Sequence, residues 1–141
     1  MNRKLYIDKN LDKCVDNCEV AKRFINFCGD KLEIECDYEI YVVENRPENN
    51  ITTTAFYDPN SKIIKIYGKN RAFVDVLRSI AHEMTHMRQD INGEITGPIQ
   101  DIGGYHENQA NAMSGALIKM FAKDDDEGRV IYEGMKKGKV V

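Results

Sequence analysis

Between Leu11 and Cys28, apolar residues recur every three or four positions, at Leu11, Cys14, Cys18, Ala21, Ile25 and Cys28. That spacing predicts an amphipathic helix with one buried stripe, and Gly29-Asp30 is fitting chemistry to end it. From Leu32 to Val43 the period drops to two. Leu32, Ile34, Cys36, Tyr38, Ile40 and Val42 share one side, and Glu33, Glu35, Asp37 and Glu39 share the other. A strand with one buried and one solvated, acidic face is predicted. Asn45 to Asn50 reads as a polar loop. Thr52 to Tyr57 and Lys62 to Tyr67 are rich in β-branched and aromatic residues, and Asp58-Pro59-Asn60-Ser61 between them supplies turn chemistry. Together they predict a β-hairpin.

Helical spacing returns from Arg71 to Ile91, with Asn70 as candidate N-cap and Asn92-Gly93 as the stop. Phe73, Leu77, Ile80, Ala81, Met84 and Ile91 fall within one arc, together with Arg88. A loop from Gly93 to Gly104 leads to a last helix, Tyr105 to Lys123, with Ala110, Met113, Leu117, Met120 and Phe121 as its stripe. The tail from Asp124 is first acidic and then basic, and is expected to pack loosely. The order of elements predicts an α+β fold: one domain over residues 1–141, with an N-terminal helix, a small twisted sheet of about three strands and two long helices.

Composition narrows the classes. The chain has 141 residues, 42% hydrophobic and 30% charged, as in ordinary globular domains. A net charge of −3 makes a nucleic-acid partner an unfavoured expectation. No stretch approaches the roughly 18 apolar residues of a membrane helix. No apolar run follows Met1 to Asp8, so no secretory signal is expected, and the expected setting is soluble and cytoplasmic. Cys14, Cys18, Cys28 and Cys36 are read as free thiols in a reducing compartment. Their spacing is not that of a standard zinc knuckle.

Chemistry concentrates in His82-Glu83-Met84-Thr85-His86, an H-E-x-x-H sequence. Residues four apart on a helix differ by about 40° around its axis, so two imidazoles can reach one ion. Glu83, one residue on, can accept a proton from a water polarised by that ion. Both histidines project away from the stripe of Leu77, Ile80, Ala81 and Met84, toward a cleft that another helix could cover. The bland alternative is a chance match on a surface helix.

A catalytic zinc site takes three protein ligands and keeps one position open. Glu107 is the preferred third ligand. It shares a helical face with Ala110, which is small enough for close helix approach, and with Asn111, which could orient a ligand histidine. His106 is the rival and would make a three-histidine site. Glu94, in the preceding loop, is a weaker third choice. Tyr105, Tyr132 and Arg88 are candidate donors to an oxyanion.

With Glu107-Asn108-Gln109-Ala110-Asn111 following the H-E-x-x-H helix, the chain resembles the gluzincin metallopeptidases. More narrowly it resembles the compact ImmA/IrrE-type peptidases of bacteria and mobile elements, over about residues 52 to 121. The resemblance implies a minimal zincin-like domain that hydrolyses peptide bonds of a peptide or protein substrate. It implies one zinc per chain held by His82, His86 and Glu107, with Glu83 as catalytic base. No helix-turn-helix domain is expected in this sequence, and the resemblance does not place its N-terminal helix. If His106 were the ligand, the resemblance would shift toward SprT-type proteases. A binding or structural protein on the same scaffold, without turnover, is the alternative of another class.

Overall fold

The computed structural model describes residues 2–45, 54–95 and 104–137. The described elements run β1 (Arg3–Ile7), α1 (Asp12–Asp16), α2 (Cys18–Lys31), β2 (Tyr38–Val43), β3 (Ala55–Asp58), β4 (Ile63–Tyr67), α3 (Phe73–Ile91), α4 (Tyr105–Asp124) and α5 (Asp126–Lys137). The architecture is α+β. Its four-stranded mixed sheet has the order β1-β2-β4-β3; β1 and β4 run parallel to β2, and β3 is antiparallel to β4.

The alternating residues Tyr38, Ile40 and Val42 of β2 and Ile64 and Ile66 of β4 are buried, and join one core with α2, α3 and α4. α3 packs on β3 and β4 and carries α4 along its other side. α5 turns back onto α4 and also meets α2. This explains why α3 is buried around most of its circumference, from Val76 and Ile80 to Thr85, His86 and Gln89.

Several expectations need correction. A fourth strand, β1, was not foreseen. The first predicted helix is broken at Asn17, whose side-chain amide donates to the Lys13 carbonyl (2.6 Å) and takes a bond that a continuing backbone would make. Cys18 therefore opens α2 half-buried and does not sit deep in a stripe. The predicted strand from Leu32 starts only at Tyr38. Leu32 and Ile34 are buried, but they belong to the wrap that ends α2: Glu33 N–H donates to the Asp30 carbonyl and Ile34 N–H to the Gly29 carbonyl. This is a Schellman closure, with Glu33 in the left-handed region (φ 55°). Gly29 makes room there for two strand side chains, because a Cβ would lie 2.7 Å from the Arg3 guanidinium carbon and 2.9 Å from the Tyr38 hydroxyl.

The β3–β4 hairpin stands, though the predicted positions 52 and 53 lie outside the described residues. α3 begins at Phe73, not Arg71. Asn70 does not cap it but takes φ 61° in the preceding turn. Gly93 at φ 70° closes α3 with the same Schellman pattern, Gly93 N–H to Asp90 and Glu94 N–H to Gln89. Most of the loop expected after Gly93 lies outside the described residues. Of the segment from Asp124, expected to pack loosely, Asp126–Lys137 forms α5, with Ile131 and Tyr132 against the core and Arg23 paired to Asp125 (2.7 Å) and Glu127 (3.0 Å), and positions 138–141 lie outside the described residues. Among the described residues, no helix is long and apolar enough to cross a membrane.

Candidate metal centre

His82 and His86 lie one turn apart on the side of α3 that faces α4, and α4 brings Glu107 to them in its first turn. The Glu107 carboxylate spans both rings. Its Oε1 is 2.9 Å from His82 Nε2, and its Oε2 is 3.0 Å from His86 Nε2. The two Nε2 atoms are 3.2 Å apart. Among the described residues this is the group of acidic, histidine or cysteine side chains arranged to hold a metal, with ligand atoms all within 4.8 Å of one another. Donors bonded at about 2.0–2.1 Å around a tetrahedral ion are separated by about 3.3 Å. The observed spacings fall a few tenths of an ångström short, an adjustment within side-chain torsions. Two imidazole nitrogens and one carboxylate are also the donor types of an open catalytic zinc site.

The rival ligands lie elsewhere. His106 is adjacent in sequence, but its Nδ1 is buried without a hydrogen-bond partner, and the ring does not join the group. Glu94 accepts from Asn92 in the turn after α3. Ala110 is fully buried, as a close approach of α3 and α4 requires, and Asn111 hydrogen-bonds His82. His82 is held below the usual imidazole range, chiefly by burial and partly by the neighbouring His86, against the raising effect of Glu107.

Glu83 stands apart from the three-atom group but opens on the same cleft, a space of ≈ 360 Å³ whose walls include Thr54, Ala55, Arg78, His82, Glu107 and Asn111. Burial, then the charge of Glu107, pushes its carboxyl up to about 8. None of Tyr105, Tyr132 and Arg88 lines this cleft. Arg78 does, and sequence spacing did not single it out. A larger depression of ≈ 570 Å³ lies where β2 and β4 end, between Asn10, Glu44 and Lys69. It lacks convergent metal donors, so chemistry and not size selects the smaller cleft.

The sequence reading also missed Gln89, which is almost fully buried beside the site. Its Oε1 lies 2.9 Å from His86 Nδ1, and its amide NH2 donates to the His106 carbonyl (3.0 Å) and to Gln109 Oε1 (2.7 Å). Its sequence signal was faint: a glutamine three residues after His86, at a position that neither the apolar stripe nor the ligand spacing singled out. No protein-family model, curated protein or solved structure matches this chain. The functional reading therefore rests on the residues themselves.

Proposed function

We propose that the protein is a zinc-dependent metallopeptidase of gluzincin type, with His82, His86 and Glu107 as ligands and Glu83 as general base. The observation that carries this reading is the convergence of His82 Nε2, His86 Nε2 and two Glu107 oxygens within 3.2 Å of one another along the measured pairs, with Glu83 in the same cleft. When bound there, zinc would polarise a scissile carbonyl and bring the pKa of a water to about 7.

Glu83 takes a proton from that water as the new C–O bond forms, and delivers it to the amine as the C–N bond breaks. Its raised pKa reflects burial and then the charge of Glu107; a dication held by Glu107 would offset that charge and favour the ionised base. Arg78, which also faces Asp75 (3.9 Å), is the cationic side chain lining the cleft and so the candidate donor toward a developing oxyanion.

An extended peptide can add to an exposed sheet edge through its backbone hydrogen bonds. β1 and β3 are the edge strands of the sheet, and it is β3 whose Ala55 and the preceding Thr54 border the cleft. A peptide or protein substrate pairing there through its backbone fits this geometry. Four thiols without a disulfide, two of them buried, fit a reducing intracellular compartment.

The test joins metal analysis to catalysis. Protein purified without chelators should hold about one zinc per chain. Glu83→Gln should keep zinc and fold but lose nearly all hydrolysis of substrates found in a peptide library, and His82→Ala should lose both. Failure to take up zinc refutes the reading. Zinc uptake without turnover across a broad library favours the non-catalytic alternative.

A further inference from the structure

Gln89 is 1% exposed, and a buried amide must place both its donors and its acceptor. Its orientation follows from its neighbours. The His106 backbone carbonyl can only accept, so the Gln89 atom 3.0 Å from it is the NH2 group. The atom 2.9 Å from His86 Nδ1 is then the amide oxygen. That oxygen needs a donor, so His86 carries its proton on Nδ1. In the neutral ring, Nε2 is left with a bare lone pair, directed at His82 Nε2 (3.2 Å) and Glu107 Oε2 (3.0 Å). The opposite tautomer would donate to Glu107 Oε2 but set a lone pair against the Gln89 oxygen; Glu107 is partly exposed and can take hydrogen bonds from water, whereas the buried Gln89 oxygen has no donor but His86 among the described residues.

The same side chain also grips α4. His106 and Gln109, its two acceptors, flank Glu107 in the first turn of that helix. One residue thus fixes the proton of one candidate ligand and the position of another. We propose that Gln89 is a positioning residue that locks His86 in the Nδ1–H tautomer and pins the Glu107 turn, so that the donor group is set for a divalent cation in advance. Its meaning for metal rests on the zinc reading above; the tautomer lock does not.

The two parts separate experimentally. In metal-free protein, with the imidazoles neutral, nitrogen NMR of the histidine rings should show His86 as the Nδ1–H form. Gln89→Leu should mix or reverse the tautomers. Gln89→Glu, which keeps an acceptor at that place, should retain Nδ1–H. In competition with a chromophoric chelator, Gln89→Leu should bind zinc about 10–100-fold more weakly, the usual effect of losing such a ligand-orienting partner. An Nε2–H tautomer in the wild-type protein overturns the proposal, as does a folded Gln89→Leu with wild-type zinc affinity. If Gln89→Leu does not fold, the wild-type tautomer and Gln89→Glu decide. If the wild type binds no zinc but the tautomers behave as expected, the lock stands and the zinc reading falls.

Discussion

Removal of Asp90 should loosen the β3–β4 hairpin from α3 at a cost that the structure allows to be worked out. Asp90 Oδ2 accepts from the Tyr57 hydroxyl (2.7 Å) and from Lys62 Nζ (2.8 Å), joining the last turn of α3 to β3 and to the hairpin turn just before β4. Tyr57 is buried, so its hydroxyl has little water to fall back on. A hydrogen bond to a charged group contributes about 1.5–3 kcal/mol, and a partly exposed pair such as Lys62–Asp90 under about 1 kcal/mol. Asp90→Ala should therefore cost about 2–3 kcal/mol, and Tyr57→Phe about 1.5 kcal/mol.

The double variant should cost little more than Asp90→Ala alone, leaving a coupling of about 1.5 kcal/mol. Urea unfolding of the four proteins measures this. Burial raises the Asp90 pKa, but the bonds from Lys62 and Tyr57 outweigh it and hold the carboxyl below its ordinary value. The contribution is thus fully present at neutral pH, and is lost as pH falls from about 4 through the folded-state pKa. Additive single costs, or a gap between wild type and Asp90→Ala that persists unchanged in acid, would refute this account.

Glu107→Ala should sharply weaken zinc binding while His106→Ala leaves it largely intact; titration with a zinc-competing dye decides, and the reverse order would point to a three-histidine site. Glu33→Gly should raise stability by about 1 kcal/mol, because the left-handed φ of 55° disfavours a side chain; thermal unfolding would show it. Replacing Cys14 and Cys18 together with Ala should leave zinc stoichiometry unchanged by elemental analysis, with a stability loss of about 1–2 kcal/mol dominated by buried Cys14.

The parts legible in the sequence are those set by short-range periodicity. His82 and His86 four apart, and Glu107 phased with Ala110 and Asn111, needed only helical geometry to be placed on facing surfaces. β1 escaped because Arg3 to Ile7 is short and carries charges at Arg3 and Lys4; its pairing with β2 lies 35 residues away. Leu32 and Ile34 mimicked a strand because a buried helix wrap also alternates. The charged surface of α5 hid the few residues that dock it. Strand order is a non-local property, so the true sheet edge could not be read from β4 itself. Gln89 has its meaning only through a partner helix, and no spacing on α3 alone reveals it.

His86 and Glu107 touch across 21 positions of chain, most of them belonging to neither helix core. An ion gripped by both is held by the folded chain and released by the unfolded one, so it would act as a staple through mass action. At a free ion concentration a hundred times its Kd, such binding adds about 2.7 kcal/mol to stability. Such a protein would answer to chelators much as a secreted domain answers to reductants. Losing the ion would disarm its chemistry and also return to the chain a freedom that α3 and α4 must then restrain by packing alone.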